Sequence, residues 1–122
     1  MEAILQTLAL LSEPKVVGIV LLSAAYGLFI GAIPGLTATM ATALLVPFTF
    51  FLDPISGLVA IITMEAMAIF AGDIPAVLLR IPGTPSTAAY TEDSYELTKQ
   101  GKGEIALGLD LICSAIGGIM GA

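Results

Sequence analysis

Residues 16–33, VVGIVLLSAAYGLFIGAI, run for 18 residues without a charge. As a helix rising about 1.5 Å per residue the run is about 27 Å long, close to the roughly 30 Å of a bilayer's hydrocarbon core. Lipid offers no hydrogen bonds, so a chain inside it must pair its backbone groups within its own structure. For a run this long and this apolar, that means a helix. Residues 36–52, LTATMATALLVPFTFFL, form a second uncharged run, interrupted by Pro47. Residues 55–72 form a third, carrying only Glu65, and residues 74–81 make a short apolar piece bounded by Pro75 and Pro82. That last piece is too short to cross as a helix and suits a re-entrant or half-helix segment. From Ile105 the chain is apolar again to Ala122. The expected fold is an all-α membrane protein. It has about three to four transmembrane or re-entrant helices with Pro-Gly-broken segments, in a single membrane domain over 1–122.

Composition agrees. Of the residues, 57% are hydrophobic and 11% charged, where soluble domains hold about a quarter charged. Mean hydropathy is +1.02. The net charge is −6, and the four basic residues, Lys15, Arg80, Lys99 and Lys102, form no patch, so no nucleic-acid partner is expected. The chain has no histidine, and its single cysteine, Cys113, excludes an internal disulfide and a thiolate zinc site. Cys113 lies in an apolar run and is expected to be an inert buried thiol. No metal or organic cofactor is expected.

The N-terminus, MEAILQTLALLSEP, lacks a basic leader and is no secretory signal. Its apolar residues recur at helical spacing, which predicts an interfacial amphipathic helix within residues 1–14. Residues 84–104 form a polar loop. Thr84-Pro85 reads as a cap and first turn, and TEDSYELTKQ as a short helix ended by Gly101. Lys15 before the first span and Lys99 and Lys102 in the loop share one side of the membrane only if an even number of crossings separates them.

The breaks inside the apolar runs carry the functional signal. IPGLTAT (33–39) and IPGTPST (81–87) both read Ile-Pro-Gly, three residues, then Thr. Proline cannot keep its helix bond, and backbone freed in lipid must face protein or a wet cavity. A pair of broken helices can bring N-terminal N–H groups and hydroxyls to an anionic substrate at mid-membrane. The candidate substrate residues are Gly31, Pro34, Gly35, Thr37, Thr39, Arg80, Pro82, Gly83, Thr84, Ser86 and Thr87. Gly27 reads as a helix-packing glycine. Arg80 is either an interfacial snorkel or a bidentate partner for a carboxylate. Glu65, an acid within an apolar span, is a coupling-ion candidate, and Asp73 either caps the half-helix or binds the ion.

The run GLFIGAIPGLTATMATALLVPFTF and the segment GDIPAVLLRIPGTPSTAAYTEDSYELTKQGKGEIALG, in that order, resemble the large membrane subunit of the tripartite tricarboxylate transporters, the TctA family. The resemblance covers roughly residues 18–122. It implies the N-terminal part of a longer, multi-pass permease of the inner membrane. That permease takes up di- or tricarboxylates such as citrate, driven by an ion gradient with Na+ or H+ as the coupling ion. It also implies two partners, a small membrane subunit and a periplasmic solute-binding protein. One departure is MEAMAIFAGD before Ile74-Pro75-Ala76, where family members often carry a Tyr- and Gly-rich stretch ending in Gly-Ser. Its acids, Glu65 and Asp73, favour a cation role. An enzyme is disfavoured, since histidine is absent and no two acids share a span. The remaining alternative is a small structural membrane protein, or a non-functional truncated fragment, assembled through glycine-rich helix faces. That alternative predicts an unbroken helix through residues 27–39.

Overall fold

The computed structural model describes residues 2–121. Its helices are α1 (Glu2–Leu11), α2 (Pro14–Gly31), α3 (Ala38–Thr49), α4 (Pro54–Ala71), α5 (Asp73–Leu79), α6 (Thr91–Lys99) and α7 (Gly103–Gly121), with a 3-10 turn at Thr87–Ala89. No strand occurs among the described residues. Three helices are long and apolar enough to cross a membrane: Pro14–Gly31, Pro54–Leu79 and Gly103–Gly121, with Ala38–Thr49 as a shorter apolar helix. The all-α expectation holds.

α2 and α4 form the central pair, and they run parallel. Gly27 lies on the backbone of Met64 and Gly31 on that of Ala68, so the register advances in the same direction on both helices. At the shared starting end Lys15, in the first turn of α2, pairs with Asp53. Asp53 also caps α4, its Oδ2 accepting from the Ser56 N–H at 3.1 Å, and Pro54 fills the first helical position. The Lys15 ammonium hydrogen bond and the Ser56 amide hold the Asp53 carboxyl far below the usual carboxylate range.

Two parallel helices need a return path, and α3 supplies it. At about 1.5 Å per residue its 12 residues span about 18 Å, and the segments 32–37 and 50–53 make up the remaining length. The second apolar run is therefore a short helix rather than a full span. α3 packs on the seam, with Ala41, Met64 and Ala68 fully buried and the Tyr26 hydroxyl donating to the Ala41 carbonyl at 3.3 Å.

α5 continues α4 through Gly72 alone, which keeps right-handed helical angles. The short apolar piece is thus an extension of the third span. It ends at Arg80, which adopts a left-handed φ of 60°. The chain then folds back against the joint: a Cβ on Gly83 would sit 2.4 Å from the Gly72 carbonyl oxygen. α6 ends as expected, with Gly101 at φ +75°. The Gly101 N–H reaches Thr98 O and the Lys102 N–H reaches Leu97 O, the paired bonds of a Schellman cap. α7 then lies against α5 and α6.

Two expectations fail here. Cys113 is exposed on α7 rather than buried, because α7 touches the rest of the described chain only near its start. Asp73 does not cap α5. It occupies the first helical position, and no side-chain cap bond forms.

Candidate substrate and ion site

Both Ile-Pro-Gly motifs break the chain. α2 stops at Gly31, and Ile33–Leu36 form a turn closed by the Leu36 N–H on Ile33 O. Gly35 takes φ +94°, a left-handed angle costing about 1–2 kcal/mol for a residue with a Cβ. Thr37 then caps α3, its hydroxyl accepting from the Met40 N–H at 3.3 Å. The helix is therefore broken between Gly31 and Ala38, against the unbroken helix that a purely structural protein would show.

The second motif follows the left-handed Arg80. Thr84 Oγ1 accepts from the Thr87 N–H at 3.2 Å and so holds the turn that leads into Thr87–Ala89. Thr84 thus closes the turn ahead of the 3-10 segment, whose own N-cap is Ser86, without a side-chain bond.

The two breaks meet. A cavity of about 410 Å³ is lined by Thr37, Ala38, Thr39, Glu65, Ile69, Thr84, Pro85 and Ser86. Five of the predicted site residues thus converge: Thr37, Thr39, Glu65, Thr84 and Ser86. Four of them belong to the hydroxyl-rich tails of the motifs rather than to their Pro-Gly cores, and Glu65 comes from α4. Ala38 and Thr39, in the first turn of α3, both line the cavity, and a helix leaves its first N–H groups without acceptors of its own. Glu65 forms no hydrogen bond or ion pair among the described residues, and no basic side chain lines the cavity.

The other candidates lie elsewhere. Pro34 and Pro82 are exposed and outside the cavity lining, as is Gly35. Gly83 is buried against Gly72, and Gly31 against Ala68, so both are close-packing glycines. Arg80 is turned to a carboxylate of its own chain: Nε and Nη2 donate to Glu92 Oε1 at 2.9 and 2.7 Å. Those bonds raise the Arg80 guanidinium further above its ordinary range.

Thr87 and Asp73 form a second, buried layer behind the cavity. Asp73 is 4% exposed. Its Oδ1 accepts from Thr87 Oγ1 at 2.7 Å and from the Tyr90 hydroxyl at 2.8 Å. Thr84 Oγ1 lies 2.6 Å from Thr87 Oγ1 and 3.0 Å from Ser86 Oγ. Burial first, and the bond to Asp73 second, push the Tyr90 phenol up to about 12, with the charges of Asp73 and Asp110 adding to the effect. The folded phenol resists ionisation, so its contribution to stability is complete below about pH 10 and is lost as pH rises towards 12. A phenolate absorbance step near pH 12 is expected in the native chain, and Tyr90→Phe should remove it. Sequence reading missed Tyr90 and Asp110, because each acquires its role only when α7 and the loop before α6 pack on α5. Asp110, an acid in the final apolar run, was the available signal.

Spanning helices, a break in mid-run and a hydroxyl-lined cavity with an unpaired acid describe a multi-pass membrane protein with a polar site between interrupted helices. Comparison with known families narrows this. The chain belongs to the tripartite tricarboxylate transporter TctA family, which matches residues 17–122. It is also 31% identical over 81 residues to an uncharacterized 52.8 kDa protein from the TAR-I ttuC′ 3′ region of Agrobacterium vitis. That match covers 66% of this chain but 16% of the relative. No solved structure matches.

Proposed function

We propose that this chain forms part of the inner-membrane permease of a secondary transporter for di- or tricarboxylates such as citrate. One carboxylate end of the substrate enters the cavity between the two broken segments. The α3 N-terminus and the hydroxyls of Thr37, Thr39, Thr84 and Ser86 supply donors. Glu65 would repel that carboxylate unless a cation accompanies it, so Na+ or H+ loads with the substrate and couples uptake to its gradient. Membership of a tripartite family supports two further partners, a small membrane subunit and a periplasmic solute-binding protein that delivers the substrate. The observation that carries this reading is the meeting of both motif tails around one cavity with Glu65.

The test is citrate uptake by the assembled system in proteoliposomes. A hydrogen bond to a charged group contributes about 1.5–3 kcal/mol, so Thr37→Val with Thr84→Val should weaken apparent affinity at least tenfold. Glu65→Gln should flatten the dependence of uptake on the driving cation. Arg80→Lys, which loses only a surface contact to Glu92, should stay within about twofold. Normal affinity in the double valine variant, with normal expression, would exclude this cavity as the substrate site.

A further inference from the structure

We infer that Asp73 is a positioning residue of the cavity. It touches neither substrate nor ion, and through Thr87 it holds the loop wall of Thr84, Pro85 and Ser86 against the α4–α5 joint. Its effect on uptake rests on the proposed substrate site; the anchoring does not.

The wall is seated on two consecutive residues of the joint. Gly83 rests on the backbone of Gly72, and Thr87 bonds the side chain of Asp73. Because Gly72 keeps right-handed helical angles, α4 and α5 share one helical register. Glu65 and Gly72 lie two helical turns apart, at about 3.6 residues per turn, so they share one face. A loop seated at Gly72 therefore stands over Glu65, and Thr84, Pro85 and Ser86 line the cavity with it.

The contact between Gly83 and Gly72 is non-directional and sets only how closely the loop approaches. Hydrogen bonds supply the direction. Asp73 Oδ1 accepts from Thr87 at 2.7 Å and from Tyr90 at 2.8 Å, so one oxygen joins the start of α5, the 3-10 turn and the residue before α6. Thr87 is wholly buried, and its Oγ1 lies 2.6 Å from Thr84 Oγ1 in the cavity wall. Thr91 secures the turn from behind, its hydroxyl donating to the Thr87 carbonyl at 2.8 Å. Position 73 must hold an acceptor, because a buried hydroxyl left without a partner is costly.

The same geometry separates the two acids of α4–α5 by role. Glu65 is exposed and lines the cavity. Asp73 is 4% exposed and outside the lining, and Thr87 and Thr84 stand between it and the cavity. Glu65 is the acid an ion can reach, and Asp73 acts through Thr87.

The first measurement needs no transport. A nitroxide label on Ala88→Cys, in a Cys113→Ala background in lipid nanodiscs, reports the motion of the loop. Ala88 is exposed beside Thr87, and Cys113 is the single native thiol. Thr87→Val, close to threonine in shape, should raise label mobility by about twofold or more, and Thr87→Ser should keep the parent spectrum. The second measurement is citrate uptake by the assembled system in proteoliposomes. Thr87→Val should raise KM by about fivefold or more with little change in maximal rate, since small misplacements of binding groups are costly, and Thr87→Ser should restore it. Asp73→Asn keeps an acceptor oxygen, so its uptake should keep the parent dependence on the driving cation. An unchanged spectrum in Thr87→Val overturns the anchor. Loss of cation dependence in Asp73→Asn makes Asp73 an ion ligand and overturns the positioning role. A mobile loop with an unchanged KM upholds the anchor and removes the substrate from this cavity.

Discussion

Gly83→Val is expected to abolish uptake and to destabilise the chain by about 3 kcal/mol or more, at or above the upper end of overpacking costs. The reason lies in what the new side chain would strike. A Cβ at Gly83 would stand 2.4 Å from the Gly72 carbonyl oxygen and 2.7 Å from the Gly72 Cα. Both atoms are backbone, and no rotamer change can move them. Relief requires the loop to lift away from the α4–α5 joint. That movement would carry Thr84 out of the cavity wall and pull Thr87 from Asp73. Gly83→Ala already places the offending atom, so alanine should fail almost as badly. Thermal unfolding in detergent and uptake in proteoliposomes should fall together. A Gly83→Val chain with wild-type melting and wild-type uptake would show that the loop does not rest on the joint.

The second large effect is expected at Gly31. Its Cβ would lie 2.2 Å from the Ala68 carbonyl oxygen and 2.7 Å from the Ala68 Cα. Lipid tails are as apolar as the side chains, so contact of this closeness, rather than water exclusion, holds α2 to α4. Gly31→Val should separate the pair by at least the width of a methyl group and cost about 3 kcal/mol or more. Gly18 provides the control on the same helix, since nothing lies within 4 Å of its Cβ position. Gly18→Ala should be neutral, or stabilising by up to about 1 kcal/mol through helix propensity. Equal melting temperatures for Gly31→Val and Gly18→Ala would refute the seam.

Much of this architecture is legible in the sequence because lipid leaves few alternatives. Charge-free runs near 18 residues become helices, and Gly101 ends one. The paired Ile-Pro-Gly motifs were recognisable from their repetition, and their Thr-rich tails do meet. What pattern alone could not divide was the glycines. Gly27, Gly31 and Gly35 recur at equal spacing, yet the first two pack on α4 and the third turns the chain. Spacing records which residues share a helix face, and it is silent on where the helix stops. Arg80 and Asp73 were similarly ambiguous, because their partners, Glu92, Thr87 and Tyr90, lie 12 to 17 residues away across a loop. The length of α3 was hidden because Thr37 caps late and the residues after Thr49 remain apolar although they are not helical.

The parallel course of α2 and α4 also dictates an order of assembly. Gly27 meets Met64 and Gly31 meets Ala68, contacts between residues far apart in the chain. Antiparallel neighbours can zip up from a tight turn, but parallel ones must wait for the intervening segment. During synthesis α2 therefore enters the bilayer with its glycine stripe bare. The stripe stays bare until α3 has turned back and the whole of α4 has emerged. The seam that anchors the domain closes after its members are already in lipid, and the loop that completes the cavity can dock only after that.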